Sequence, residues 1–304
     1  MLVERRSRIT EIVDAAAAGR PLPDENMLPT RFTMEGAEGD DDWWDFQTDG
    51  YGTWVWAAAA HADRHGLDVA RWRDGIALSV DYLAATWSRP CYDWWEEHRE
   101  QVHVSTLLCI VAGLEAAVRS AAVDGDRADA ARGAAAAARD LVARRGVHDG
   151  HLSKWLGSTD VDGSLSAAIA PLGVIDATSP LGRASIHAVD DALDVEGGVH
   201  RFLFDTFYGG GQWPLLSCML GLAYAAAGDR PAALARLEWA ARTVTSEGFL
   251  PEQVPDHLLA PERRAEWVQR WGSVATPLLW SHAMFVRLAV ELGIIAPEAA
   301  GEGA

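Results

Sequence analysis

The sequence predicts an all-α fold in which helices follow one another and functional loops join them. Three observations carry this. Apolar residues recur at helical spacing through most of the chain, alternation with a period of two is nearly absent, and the connecting segments are rich in Trp, Asp, Glu and Gly.

The spacing predicts helices over about 3–18, 52–66, 70–87, 102–122, 125–145, 183–194, 213–227, 230–245, 262–270 and 277–293. The first carries Leu2, Val3, Ile9, Ile12 and Val13 on one face. In the fourth, Val104, Leu107, Leu108, Val111, Leu114 and Val118 fall at i, i+3, i+4, i+7. The fifth, "ARGAAAAARDLVARR", is alanine-dense and therefore good helix. Asp229 stands before the eighth as an N-cap with Pro231 early in the helix, and Gly248 is expected to close it. Thr276 and Pro277 are expected to open the last in the same way. Between the helices lie "DDDWWDFQTDGYG", "SRPCYDWWEEH", "RFLFDTFYGGGQWP" and "EGFLPEQVPDH". Hairpins arranged in a ring would gather such loops at one end, the pattern of an α/α toroid. Hairpins stacked in an open solenoid would read similarly.

Composition narrows the class. The chain has 304 residues, which allows one large domain or two average ones, and with 49% of them apolar and 14 tryptophans it can bury a sizeable core. A single domain over 1–304 is the expectation once the resemblance described below is taken into account. No run of apolar residues is long enough to span a membrane. The N-terminus mixes charge with apolar residues and lacks the uninterrupted apolar stretch of a secretion signal. Cys91, Cys109 and Cys218 have no metal-type spacing, so reduced thiols in a cytoplasm are the expectation. A formal charge of −18 excludes nucleic acid and an anionic membrane surface as expected partners, since both need a positive field.

"YDWWEEH" places indoles directly before paired carboxylates. Glycoside hydrolysis needs one carboxyl protonated to assist the leaving oxygen and one ionised to activate water or attack. Burial against indoles raises a carboxyl pKa, so Glu96, after Trp95, fits the acid. By itself the stretch reads first as a helix N-terminus, where acidic residues complement the dipole. Glu252 in "EGFLPEQ" is the second candidate; alone, it reads as a surface loop. Arg201 and Asp205 stand four apart before Phe207, Tyr208, Gly209, Gly210, Gly211 and Trp213. That spacing suits a helical ion pair, but the glycines point equally to a ligand-facing loop, without any nucleotide-binding pattern.

Two other clusters suggest metals. Asp41, Asp42, Asp45 and Asp190, Asp191, Asp194 match the aspartate spacing with which all-helical prenyl diphosphate enzymes hold magnesium. The tryptophans within the first and the scarcity of basic residues speak against it. His148 and His151 in "HDGH" form only a weak metal hint.

Taken in order, these loops resemble glycoside hydrolase family 15, the glucoamylase-like inverting exo-glucosidases built on an (α/α)6 toroid of helical hairpins. The resemblance covers about 43–293, with 1–42 unassigned and 295–304 a tail. "FQTDGYGTWVWA" looks like the family's Asp-Gly segment before an inner helix, and "YDWWEEH" like its general-acid loop. "RFLFDTFYGGGQWPLL" is similar to its R-x-x-x-D-T-x-Y stretch. "GFLPEQ" with "TPLLWSHAMFV" is similar to the general-base loop and the helix after it. The resemblance implies Glu96 as general acid and Glu252 as general base. It implies sugar contacts for Asp49, Glu97, Arg201 and Asp205, aromatic walls from Trp43, Trp95 and Trp213, and support of the base by Trp280 with Ser281. It implies an oligosaccharide substrate cleaved at a terminal α-1,6 or α-1,4 bond, β-glucose as product, and neither metal nor organic cofactor.

The family's W-x-R-D loop near its start has no counterpart here. "RWRDG" (Trp72, Arg73, Asp74) is one residue too short and reads as helix surface. About ten helices are counted where twelve close the ring, so the toroid is expected to lack its first helices, with a weakened cleaving subsite. Two rival readings follow: a non-catalytic carbohydrate-binding fragment of this fold, and a magnesium-dependent prenyl diphosphate enzyme.

Overall fold

The computed structural model describes residues 1–39 and 46–296. Trp43 and the run Asp41, Asp42, Asp45 lie outside the described residues. Contacts divide the chain into two compact units, Met1–Gly146 with Trp155–Gly157, and Val147–Lys154 with Ser158 onward.

The first unit holds α1 (Arg6–Ala17), α2 (Asp49–His65), α3 (Arg73–Thr86), α4 (Val104–Arg119) and α5 (Gly125–Arg145). Helix α4 is buried almost all round, from Val104 to Ala117 with Glu115 as the break. An amphipathic stripe is therefore too modest a description: this is a fully enclosed helix. Helix α5 instead buries one stripe, Ala128, Ala131, Ala134, Ala135, Ala138 and Val142, and leaves the rest at least partly exposed. Helix α4 packs on α2 and α5, and α3 packs on α1 and α5. The α2–α4 approach depends on glycine. A Cβ at Gly52 would stand 2.4 Å from the Cys109 carbonyl oxygen, and one at Gly113 would stand 2.4 Å from the Gly52 oxygen.

The second unit holds the one-turn α6 (Ser166–Ile169), then α7 (Pro180–Leu193), α8 (Pro214–Ala226), α9 (Arg230–Arg242), α10 (Arg264–Trp271) and α11 (Leu279–Glu291). Its centre is α8, buried from Pro214 to Tyr224 and flanked by α6, α7, α9 and α11. Helix α9 begins as expected, with Asp229 accepting from the Ala232 amide at 3.0 Å. It ends earlier than the sequence suggests. Gly248 does not close it; it donates to the Thr245 carbonyl in a separate turn. Likewise Thr276 and Pro277 do not cap α11, whose first residue is Leu279.

Strand is limited, among the described residues, to two short antiparallel ribbons, β1–β2 (Val147–His148 with His151–Leu152) and β3–β4 (Asp194–Val195 with Gly198–Val199). The first explains "HDGH": Asp149 and Gly150 both have positive φ, as a two-residue hairpin turn needs, and the histidines are its flanks. The aspartates of "DDALD" are also accounted for. Arg236 pairs with Asp190 and sits 3.1 Å from Asp194, so this cluster is an ion-pair network that leaves no carboxylate set aimed at magnesium. "RWRDG" lies at the start of α3 with Arg73 and Asp74 exposed, as expected of helix surface.

Candidate active site

In the first unit the paired glutamates lie in a tight turn well ahead of α4, so the helix N-terminus reading of this stretch fails. Asp93 builds the turn. Its Oδ1 accepts from the Trp95 and Glu97 amides, each at 2.9 Å, and its carbonyl accepts from the Glu96 amide at 3.1 Å. The Glu97 carbonyl in turn accepts from the Asp93 amide at 3.2 Å. These bonds hold Glu96 at φ 60° and His98 at φ 52°. A non-glycine residue in the left-handed region is held at a cost of about 1–3 kcal/mol, and such strain concentrates at functional sites.

Trp95 is buried, Glu96 and Glu97 half-buried, and the two indoles meet edge to face at 6.5 Å. His98 rests 3.8 Å from Glu97 and packs on Trp155 at 5.1 Å. Asp49, the first residue of α2, lies behind the same turn. The Gln47 side chain donates to the Asp93 carbonyl at 2.8 Å, and the charges of Asp93 and Glu96 act on the Asp49 carboxyl. Burial pushes the Asp49 carboxyl up to about 7, reinforced by those two neighbours.

In the second unit Arg201 and Asp205 are almost fully buried and paired, Nε to Oδ2 at 2.8 Å and Nη2 to Oδ1. They are not a helical ion pair. The segment is a loop, and the bidentate fork closes it. The Arg201 guanidinium lies 4.9 Å from the Phe207 ring centroid and 5.5 Å from that of Trp213. Asp205 also accepts from the Phe207 amide at 2.8 Å. Trp213 is buried beneath this stack.

The loop that carries Glu252 is tied to the same place. Gln253 accepts from the Gly211 amide at 2.9 Å and donates to the Phe207 carbonyl at 3.2 Å, while Gln212 and Val254 pair through their backbones. A Cβ at Gly211 would stand 2.3 Å from the Val254 oxygen, so only glycine admits this approach. The Ala275 carbonyl accepts from the Glu252 amide at 2.9 Å, and Ser281 donates to the Pro251 carbonyl at 2.8 Å from the first turn of α11, beside Trp280. Glu252 is half-buried and close enough to the Tyr208 phenol for its charge to help hold that phenol's pKa up, after burial itself.

The structure thus brings together Asp49, Trp95, Glu96 and Glu97 in one unit, and Arg201, Asp205, Trp213, Glu252, Trp280 and Ser281 in the other. It adds residues the sequence left without a role: Asp93 and Gln47 at the turn that carries Glu96, Gln253 and Phe207 between the Glu252 loop and the Arg201–Asp205 pair. Gln253 follows Glu252 directly and was the one available signal.

Residues 29–230 match the profile of glycosyl hydrolases family 15. The isomaltose glucohydrolase of Kribbella flavida is 55% identical over 300 residues, which cover 98% of this chain and 78% of that protein. The chain belongs to glycosyl hydrolases family 15. Among solved structures, a wild-type glycosidase is 55% identical and superposes with a TM-score of 0.94, over 97% of this chain and 80% of its own. A bacterial glucoamylase complexed with acarbose is 19% identical with a TM-score of 0.70, over 95% of this chain and 48% of its own, and shows the shared fold. The expected all-α fold of the (α/α)6 class is therefore that of its family 15 neighbours. The profile match ends before Glu252, so the loop that carries it is covered by the Kribbella relative and not by the family profile.

Proposed function

We propose that this family 15 chain cleaves the terminal α-1,6-glucosidic bond of short isomaltose-type oligosaccharides from the non-reducing end, with Glu96 as general acid and Glu252 as general base. Hydrolysis of terminal α-glucosidic bonds with inversion is the activity of the family to which the chain belongs. The α-1,6 preference rests on one observation, 55% identity to an isomaltose glucohydrolase across nearly the whole chain.

The residue roles have their own support. Two solved structures of the 54%-identical glycosidase carry glutamate-to-alanine substitutions at different positions, one of them in complex with glucose. Their separation along that chain is within one residue of the separation between Glu96 and Glu252. In the mechanism, protonated Glu96 gives its proton to the glycosidic oxygen as the C1–O bond breaks. Glu252, ionised, takes a proton from the water that attacks C1 from the opposite face, and β-glucose leaves. Such a pair works with its carboxyls about 6.5–9.5 Å apart, leaving room for that water. Arg201, Asp205 and Glu97 would bind the sugar hydroxyls, and Trp95 and Trp43 would wall the ring. The three thiols are buried, and a cytoplasmic setting belongs to the same proposal.

Glucose release from isomaltose, panose and maltose tests the linkage. Isomaltose should be cleaved at least about tenfold more efficiently than maltose, a difference of about 1.4 kcal/mol in the barrier. Panose should stop at glucose and maltose. A preference for maltose would refute the α-1,6 reading, and glucose from none of the three by folded protein would favour the carbohydrate-binding alternative.

A further inference from the structure

In the second unit a single peptide group, from the Gly210 carbonyl to the Gly211 amide, is gripped at both ends by side chains. The His200 ring holds the carbonyl, Nδ1 to oxygen at 2.9 Å. The Gln253 side chain holds the amide, also at 2.9 Å. His200 directly precedes Arg201, and Gln253 directly follows Glu252. The peptide is tightly enclosed as well. A Cβ at Gly210 would stand 2.5 Å from the Asp205 carbonyl oxygen, so the group has little room to shift between the two loops.

His200 is suited to this grip and not to proton transfer. It is 1% exposed, and because a carbonyl can only accept, Nδ1 carries the ring proton. Nε2 is enclosed and has no hydrogen-bond partner among the described residues. A charged ring would place an N–H there without an acceptor, so the neutral Nδ1–H form is the one that fits. Burial likewise holds the imidazole below the usual histidine range, against the opposing pull of the Gly210 and Gly211 backbone and of Asp205.

The chain on the Arg201 side is held without the ring. The His200 amide donates to the Leu193 carbonyl at 3.0 Å, and the Arg201 carbonyl accepts from the Gly163 amide at 2.8 Å. Asp205 fixes the Arg201 guanidinium. The bond from the ring therefore acts on the glycine turn and, beyond it, on the loop of Glu252. A longer bond of 3.3 Å from the Leu259 amide reaches the same Gly210 oxygen and would remain if the ring were replaced.

We propose that His200 is a positioning residue for the general base: through the Gly210–Gly211 peptide and Gln253 it sets where Glu252 stands. The inference rests on Glu252 being the base, and the experiment separates the two. Turnover and KM for isomaltose, and turnover of α-glucosyl fluoride, would be measured for the parent, His200→Asn and His200→Gln. The asparagine nitrogen lies as many bonds from Cβ as Nδ1 does, and the glutamine nitrogen as many as Nε2. Only the asparagine can restore the bond to Gly210.

His200→Gln should lower kcat about tenfold to a hundredfold with KM little changed, the loss expected of a reacting group displaced by about 1 Å. It should stay slow on α-glucosyl fluoride, where the base is still needed, and His200→Asn should stay close to the parent. His200→Phe, which keeps a ring and removes the donor, gives the same reading if the glutamine variant does not fold. Equal loss or equal retention in the asparagine and donor-less variants would overturn the proposal. So would a defect confined to KM, or one that fluoride repairs. Parental turnover in Glu252→Gln would instead refute the assignment of the base.

Discussion

Glu252→Gln and Glu96→Gln are each expected to lower kcat for isomaltose by about 10²–10⁴-fold, the usual contribution of a positioned proton donor or acceptor. Both residues are half-buried and neither amide would disturb a core, so thermal unfolding should move little. The two variants should nevertheless differ. A better leaving group, such as fluoride, needs no proton from Glu96, so α-glucosyl fluoride should restore turnover in Glu96→Gln and leave Glu252→Gln slow. Steady-state kinetics on the two substrates check this. Equal rescue of both variants would reverse or remove the assigned roles.

The second large effect concerns stability as much as activity. Asp205→Ala should cost about 3–5 kcal/mol of folding free energy, because it strands the Arg201 guanidinium, buried and without its carboxylate. The loss reaches the site directly, since Asp205 also receives the Phe207 amide and Phe207 stacks on Arg201. Denaturant unfolding together with kcat/KM at a permissive temperature measures both consequences. Replacing Asp205 and Arg201 together by apolar residues of similar volume should recover much of the stability and none of the activity, because the stranded charge is gone but so is the fork proposed to bind the sugar. Unchanged stability in the single variant would contradict the buried-pair account.

Much of the fold was legible because an apolar period near 3.6 is a local signal. Helices α2, α4, α5 and α9 lie within a few residues of where that period puts them. What it could not distinguish is an enclosed helix from one with a single buried face. Helix α4 is covered on all sides and α5 on one, yet both read as good helix. Helix ends were less legible, since Gly248 and Pro277 carry helix-end chemistry but serve neighbouring turns. The site divided in the same way. Glu96 and Glu252 stood out by residue type and neighbours, whereas Asp93, Gln47 and Gln253 act through hydrogen bonds to backbone that only folding brings near. A left-handed glutamate leaves no trace in composition or spacing.

The measurement that bears most directly on the central claim is the anomeric form of the first glucose released. Proton NMR of isomaltose hydrolysis, followed from the first seconds before mutarotation, should show the β-anomer appearing first and the α-anomer growing in later. That outcome requires water delivered by a base opposite the leaving oxygen, as the roles proposed for Glu96 and Glu252 demand. Early α-glucose would mean a covalent glycosyl-enzyme and a retaining mechanism, and would contradict the account.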